Sequence, residues 1–589
     1  MDLHSRARIA LDGFMCGNPE KVPDGHRTYF GLVPFPEPRA EHIQWDDGDG
    51  TARALDAWLY LRRITGDYQT GREIEAGQWR YLCSLLHPQT GLAYVADLSA
   101  PDGEGTYYHL WDQGRTLRHL VNRHEWPFTS DHERIQIESL IVSMIKGLKD
   151  LSATRRLGDG TLAVYWTHEA YFDDRPASKS TDYGFTIGSA QMLEPATRWA
   201  EITGSEEDQE WAVQLGNGFV AGLERRREST TPMFGASGEF YGHFHCAASG
   251  LVGLVYLARN LIARKKEAVG RAFLDTAVKA YSWIFSEANP NRGSSHGWFP
   301  ESSAKWQSNL SEICCTADMI ELAFALASAA ESVAGYEKLD ACWDDVDRFC
   351  RNELFQMQLL NPEKLEPWLD PKTPESHEAF CAVAERYAGG WPFGHTWPHD
   401  LMDLDKDAHP GPIGLEGSVE HPRMPIGGCC MYSGPRGLFA CWEASVKQGE
   451  REVDIRFPLQ YAHGVLAMDE IPSGGLSYAV HEPRSVCVRI PSKVDGRTVH
   501  VLEKDRERSF AYDAQSNRVR IDSQPGEKYK VVWDDPAWES LETLGSPNDG
   551  HVPDVPVGSR ITYKLQFHGN QLKELTPCEE ACLPYGSGL

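Results

Sequence analysis

The chain lacks any apolar run near the ~20 residues that a membrane-spanning helix needs. Its first residues, MDLHSRARIALDGFMCG, hold no continuous apolar core of a secretory signal. A phosphate loop and a G-x-G-x-x-G opening a helix after a strand are also missing, which argues against the common nucleotide enzymes. Basic residues are scarce: 58 Lys and Arg stand against 85 Asp and Glu, a net charge of −27. So acidic a surface repels phosphates over most approaches, so neither nucleic acid nor a membrane is expected as a partner. A neutral ligand is untouched by that argument.

What is present is more informative. Fourteen Cys without a secretory signal point to a reducing compartment, so a cytoplasmic location is expected, with thiols free, buried or metal-bound. Eighteen Trp and 22 Tyr are a heavy aromatic load. Flat amphipathic rings suit stacking on sugars, although core packing accounts for most of them. At roughly 100–200 residues per domain, the length allows about three to five units, or one large helical toroid with smaller modules.

The pattern along the chain favours the second division. Up to about residue 360, segments such as TARALDAWLYLRRITGD (51–67), ERIQIESLIVSMIKGLKDL (133–151) and SAQMLEPATRWAEITGS (189–205) carry apolar residues at helical spacing. Glycine stops recur at Gly66, Gly204 and Gly335, separated by 138 and 131 residues, and each interval fits two helical hairpins. Recurrent helix pairs of this kind predict a closed helical toroid. From about 360 to 430 the pattern breaks into loops rich in Gly, Pro, His and Trp, and a further helix is expected at 436–447. After it the period changes to two: REVDIRFP, RSVCVRIPS, RTVHVLE, NRVRIDS, EKYKVVWD and SRITYKLQF read as strands of an antiparallel sandwich. The expected division is an N-terminal segment (1–45), a toroid (46–448), a β-sandwich (449–536) and a C-terminal strand and tail (537–589).

Two clusters could carry chemistry. Ser311-Glu312-Ile313-Cys314-Cys315-Thr316 opens an apolar helix, and Gly427-Gly428-Cys429-Cys430-Met431 follows the long loop. Glu312, Cys314, Cys429 and Cys430 supply one carboxylate and three thiols, a donor set that suits tetrahedral zinc. Adjacent cysteines also occur as small buried hydrophobes, and neither CC nor E-x-C is a standard zinc spacing. Glu301, close to Trp298, Phe299 and Trp306, is a candidate general acid if its surroundings raise its pKa; a solvated loop Glu is the plainer reading. His243 and His245 could hydrogen-bond a hydroxyl or hold a metal, or simply cap and pack a helix. Asp403, Asp405 and Asp407 resemble a calcium loop only in part, since Ala408 and Gly414 stand where Gly and Glu are needed. Cys578 and Cys582 have no second ligand pair nearby and read as structural.

The E-x-C helix start, the CC pair about 115 residues later with its aromatic-rich helix (CCMYSGPRGLFACWEAS), and the R-I-P strand resemble glycoside hydrolase family 127. The similarity runs from about residue 45 to 535, with DGTLAVYW (159–166) a weaker match. The resemblance implies a mainly α chain with β: an (α/α)6 toroid followed by an antiparallel β-sandwich. It implies β-L-arabinofuranosidase-like hydrolysis with retention, and Zn2+ held by Glu312, Cys314, Cys429 and Cys430. Cys429 falls on the nucleophile, Glu301 on the acid/base, and His245 on a sugar-contacting histidine, with His243 and Trp298 as further substrate contacts. Cys315 is expected to be a buried neighbour. The implied partner is an oligosaccharide or small glycoside, and the assembly a homodimer. The segment TDYGFTIGSAQ (181–191) and the 390–428 loop depart from the family pattern, so the sugar pocket is expected to be remodelled. Two other functions fit the same residues: a hydrolase, lyase or epimerase of this toroid fold acting on another, acidic, sugar, or a non-catalytic zinc-stabilised glycan-binding protein.

Overall fold

The computed structural model describes residues 2–29, 31–33, 39–42, 46–97, 105–166, 189–223, 233–240, 242–289, 291–301, 311–361, 373–391, 426–514, 516–544 and 561–578. Trp306, the segment 181–188, residues 362–372 and 392–425 with Asp403, Asp405 and Asp407, and Cys582 therefore lie outside the described residues. Within the expected 360–430 loop Pro374–Tyr387 is a helix, started by a capping box at Thr373. The helices in chain order are α1 (Leu3–Asp12), α2 (Phe14–Gly17), α3 (Asp49–Thr65), α4 (Arg72–Leu85), α5 (Leu110–His124), α6 (Asp131–Leu151) and α7 (Ser189–Thr203). They continue as α8 (Glu206–Ala221), α9 (Phe244–Ala263), α10 (Glu267–Ile284), α11 (Ile313–Ser332), α12 (Cys342–Phe349), α13 (Pro374–Tyr387) and α14 (Gly428–Ser445).

Helices α3, α5, α7, α9, α11 and α14 each pack on the next, and α14 packs back on α3, so the six close a ring. Outside it α4, α6, α8, α10 and α12 each lie against the inner helix before them, and α1 packs on both α3 and α14. The N-terminal segment is thus part of the toroid. The two rings have different sequences for a physical reason. An outer helix such as α6 buries one stripe, Ile137, Ile141, Met144, Ile145 and Leu148, and exposes Ile135 and Val142. An inner helix is covered on all sides, so α11 (ICCTADMIELAFALASAAES) is buried along nearly its whole length. Helices α9 and α11 are long and apolar enough to cross a membrane, and both are buried within the toroid.

The glycine stops hold at two of three positions. Gly66 takes the left-handed conformation (φ 69°) and caps α3, and Gly204 (φ 69°) follows α7. Helix α11 ends earlier, at Ser332, so Gly335 lies in the loop beyond it. The helix expected at 436–447 starts eight residues sooner, with Cys429 and Cys430 in its first turn and Pro435 inside. An interior proline costs about 3 kcal/mol in an isolated helix. Tertiary packing offsets it here. Gly434 lies flat on the Trp391 ring, where a Cβ would meet ring carbon at 2.1 Å, and Trp391 Nε1 donates to the Leu354 carbonyl at 2.8 Å.

The β-module has a five-stranded sheet (446–448, 452–455, 484–489, 518–523 and 511–513 in spatial order) and a six-stranded one (461–463, 466–470, 475–480, 528–532, 500–503 and 506–507). Every pair in these two sheets is antiparallel except 452–455 with 484–489, which run parallel. Val486, Val488 and Ile521 of one sheet share a core with Tyr478, Val480, Tyr529 and Val531 of the other. Tyr478 and Ser523 join the sheets by a buried hydroxyl pair at 2.9 Å. Beyond 536 the chain forms three strands, Ala537–Leu544, Ile561–His568 and Gln571–Pro577, rather than one.

Candidate metal and sugar site

In the toroid each inner helix returns in the same direction, so the N-terminal ends of the six share one rim. Asp49 and Arg53 lie in the first turns of α3, Trp111 and Arg115 in those of α5, and His245 in the first turn of α9. Glu312 is the N-cap of α11, followed by Cys314, and α14 begins with Cys429 and Cys430. The cysteine pair is further held by the N-terminal segment: Gly31–Val33 pairs with Ile426–Gly427, and Asn18 donates to the Tyr432 hydroxyl.

One ligand atom from each of Glu312, Cys314, Cys429 and Cys430 lies within 4.8 Å of the other three. The Cys314 and Cys430 sulfurs are 3.5 Å apart, and Ser433 Oγ donates to Cys314 Sγ at 3.4 Å. Two thiolates on a tetrahedral zinc at ~2.3 Å each are separated by roughly 3.8 Å. The donor set and its spacing therefore fit zinc. Cys314 and Cys430 are wholly buried, while Cys429 retains exposed surface. Burial opposes ionisation of Cys314, but hydrogen bonds from the Cys429 and Cys430 thiols and the nearby His245 and Arg53 outweigh it and hold its pKa far below the ordinary thiol range. The hydrogen bond to Cys314 pushes Cys429 up, and burial together with the same hydrogen bond pushes Cys430 up. Cys315 is buried beside the cluster, and burial drives its thiol up as well.

Glu312 belongs to a second group. Its carboxylate, that of Glu301 and the imidazole of His243 also place one ligand atom each within 4.8 Å of one another. Glu301 is half-buried, its carboxylate 4.0 Å from His243 Nε2, and its carbonyl accepts from the Phe244 N–H at 2.7 Å. Burial, reinforced by His245, pulls the His243 pKa down to about 3, so this imidazole is neutral at pH 7. Its ring packs 5.8 Å from that of Trp111.

His245 stands deeper. Its Nδ1 faces the Asp318 carboxylate, which only accepts, so Nδ1 carries the proton and Nε2 is the acceptor. Two guanidiniums converge on that acceptor: Arg53 Nη2 at 3.1 Å and Arg115 Nη2 at 3.0 Å. Both ring nitrogens are engaged within the protein. Arg53 is also held by Asp49 at 2.6 Å and donates to Ser433 Oγ at 2.9 Å, which links it to Cys314 through one hydroxyl. Arg115 lies 5.5 Å over Trp111, with its Nε 3.7 Å from the same Asp49 oxygen. Below the rim, buried charges alternate down the bore. Arg436 pairs with Asp318 at 2.6 Å, and both Arg436 and Arg118 reach Glu321. Arg118 lies 3.6 Å from Glu194, which holds Arg198 at 2.9 Å.

Trp298 is elsewhere. It is fully buried against Leu544, Tyr563, Leu565 and Phe567 of the C-terminal sheet, away from the thiols. Just before it, the Ser294 and Ser295 hydroxyls donate to Glu542 of the same sheet. The C-terminal sheet therefore clamps the segment that leads into Glu301. Sequence reasoning missed Asp49, Arg53, Trp111, Arg115, Asp318 and Ser433. Only the i, i+4 spacing of Asp49 and Arg53 is a legible signal, and it reads as an ordinary helix ion pair.

No protein-family model and no curated protein sequence matches the chain. Among solved structures it is similar to a GH127 β-arabinofuranosidase, with 13% identity, covering 97% of this chain and 78% of the other, at a TM-score of 0.52. It is similar also to a GH127 β-L-arabinofuranosidase from Geobacillus stearothermophilus T6, with 12% identity, covering 97% and 80%, at a TM-score of 0.52. A third, described as a glycoside hydrolase, has 9% identity, covers 95% and 84%, and has a TM-score of 0.51. The toroid with its sheet-rich C-terminal part is therefore the fold of the GH127 β-arabinofuranosidases.

Proposed function

We propose that the chain is a retaining glycoside hydrolase that releases a terminal furanose, such as β-L-arabinofuranose, with Cys429 as nucleophile and Glu301 as acid/base. One observation carries this reading: Glu312 is common to the thiol cluster and to the Glu301–His243 group, so a carboxylate fit for proton transfer borders a nucleophilic sulfur centre. The Cys429 residue is the least buried of the three, although its sulfur lies in the buried cluster with the others. Zinc bound by Glu312, Cys314, Cys429 and Cys430 supplies positive charge that keeps the sulfurs deprotonated at neutral pH.

The chain's own groups do the rest. Cys429 Sγ forms a bond to the anomeric carbon as the glycosidic C–O bond breaks, and Glu301 gives its proton to the departing oxygen. The Glu301 carboxylate then takes a proton from water, whose oxygen attacks the anomeric carbon and breaks the C–S bond. Two inversions give net retention. His243, neutral beside Glu301, adds no positive charge that would hold the carboxyl ionised. The test is mass spectrometry of the peptide containing Cys429 after reaction with an aryl β-L-arabinofuranoside, together with assays of Cys429→Ser. A sugar adduct on that peptide supports the reading. Full activity in Cys429→Ser would overturn it.

A further inference from the structure

The bore of the toroid has a second mouth, at the C-terminal ends of the inner helices. These helices are buried along most of their length, and their inward faces open again toward that end. On α9 the burial first breaks at Tyr256, about two turns beyond Ser249, which donates to Asp318. On α14 it breaks at Phe439 and at Glu443, two turns beyond the bore-lining Arg436. On α7 it breaks at Arg198, one turn beyond Glu194. On α3 it breaks at Arg63, less than a turn beyond Tyr60, whose ring stacks on Phe439 at 4.8 Å. Whole turns keep side chains on one helix face, so this group lines the bore.

Three polar groups here have no hydrogen-bond or ion-pair partner among the described residues: the Arg63 guanidinium, the Tyr256 hydroxyl and the Glu443 carboxylate. Glu443 is exposed, and Arg63 and Tyr256 are half-buried. Glu443 is open to solvent yet recessed, because the surrounding protein pushes its pKa up against the pull of Arg198 and Arg63. Burial and then the Glu443 charge push the Tyr256 phenol up, so the two face one recess. Phe439 and Trp442 form its apolar side, stacked 5.9 Å apart. Arg63 lies 5.9 Å from the Trp442 ring and 5.7 Å from that of Trp126. It thereby joins the recess to an aromatic lip, where the rings of Tyr68, Trp126 and Phe128 lie 4.5–6.3 Å apart and Phe128 is 64% exposed.

We propose that this second mouth is a binding site of its own and takes the end of a neutral oligosaccharide. The unpaired groups carry both signs, so a simple anion meets Glu443 and a simple cation meets Arg63. Sugar hydroxyls both donate and accept, which suits a carboxylate, a phenol and a guanidinium at once. The aromatic lip offers ring faces to the C–H faces of the sugars that follow. Cys430 and Glu443 are about 20 Å apart along α14, so an occupant here leaves the zinc rim free. The site stands whether or not that rim hydrolyses sugars.

Hydrogen–deuterium exchange of the full-length, zinc-loaded protein tests this, with arabinotriose, cellotriose and mannotriose as probes and glycine betaine as a zwitterionic control. One trisaccharide should slow exchange in the peptides holding Arg63, Trp126–Phe128, Tyr256 and Glu443. Calorimetric titration of Glu443→Gln should show that binding weakened about tenfold or more, the loss of a charge-assisted hydrogen bond. Trp126→Ala should weaken it about threefold to tenfold, in line with one lost ring contact. Both variants should keep the zinc content of the wild type. Protection confined to the peptides of His243–His245 and Glu312–Cys314 overturns the proposal, as does no protection by any trisaccharide. Glycine betaine protecting the second mouth at lower concentration than every sugar overturns the ligand class. Unchanged affinity in both variants overturns the site. Should either variant not fold, the wild-type exchange map decides alone.

Discussion

Cys314 and Cys430, 116 residues apart in the chain, hold their sulfurs 3.5 Å apart where the first turns of α11 and α14 meet. This contact makes the metal site a seam between two inner helices, so removing either thiol should cost both metal and stability. One zinc per chain is expected by metal analysis of the wild type. Cys314→Ala and Cys430→Ala should bind well below one and melt several degrees lower, and full occupancy in both would show that the cluster is not the site.

Metal affinity should depend steeply on pH. The Cys429 and Cys430 thiols are pushed up, so each must lose a proton when the ion binds. Two protons released correspond to about a hundredfold fall in affinity for each pH unit lowered. Competition with a chromophoric chelator between pH 6 and 8 measures the slope, and a flat profile would count against thiolate ligation.

Glu301→Gln should lower turnover of unactivated glycosides by about 10²–10⁴, the usual contribution of a general acid. Aryl glycosides with good leaving groups need no proton in the first step, so they should react to form the covalent enzyme and then stall. A burst without steady turnover in stopped-flow assays is the expected signature. Equal losses on all leaving groups would assign Glu301 a binding role only.

Trp298→Ala should destabilise the protein by about 3–5 kcal/mol, as expected for emptying a buried tryptophan site. Trp298 fills the core of the C-terminal sheet three residues before Glu301, so activity should fall with it even where zinc content does not. Denaturant melts and metal analysis of one preparation separate the two effects. An unchanged kcat would show that the clamp does not position Glu301.

The sandwich is fastened to the toroid by Arg489, whose guanidinium takes Asp344 of α12 in a two-pronged pair at 2.7 and 3.2 Å. Burial would raise the Asp344 pKa, but Arg489 and the Ser492 N–H outweigh it and bring it to about 2. The unfolded value is about 3.9, so the folded state binds this proton less readily. The pair stabilises the protein by ~2–3 kcal/mol above pH ~4 and loses that contribution as pH falls toward ~2. Asp344→Asn should be less stable at pH 7, with the difference shrinking in melts taken at lower pH. A constant difference would remove the ionic explanation.

Much of the architecture is local and therefore readable. Gly66 and Gly204 end helices because a left-handed residue is cheapest as glycine, and the alternation in RSVCVRIPS and NRVRIDS marks strands that bury one face. The early start of α14 was not readable, because a proline inside a helix reads as a break until Trp391 is seen packed on Gly434. Nor was the placement of Trp298, whose partners lie some 250 residues later in the chain.

The sequence by itself determined the chemistry on offer: an E-x-C at the start of an apolar helix, a CC pair after the long loop, a nearby Glu301, and an apolar helical period broken by caps. Those are properties of residue type and spacing. Only the tertiary structure decided that the two cysteine motifs meet, that Glu312 stands between the thiols and Glu301, and that Arg53 and Arg115 crowd one side of His245. The physical reason is closure of the ring. When α14 packs back on α3, residues nearly 400 positions apart come to one rim, and no period in the sequence records that contact.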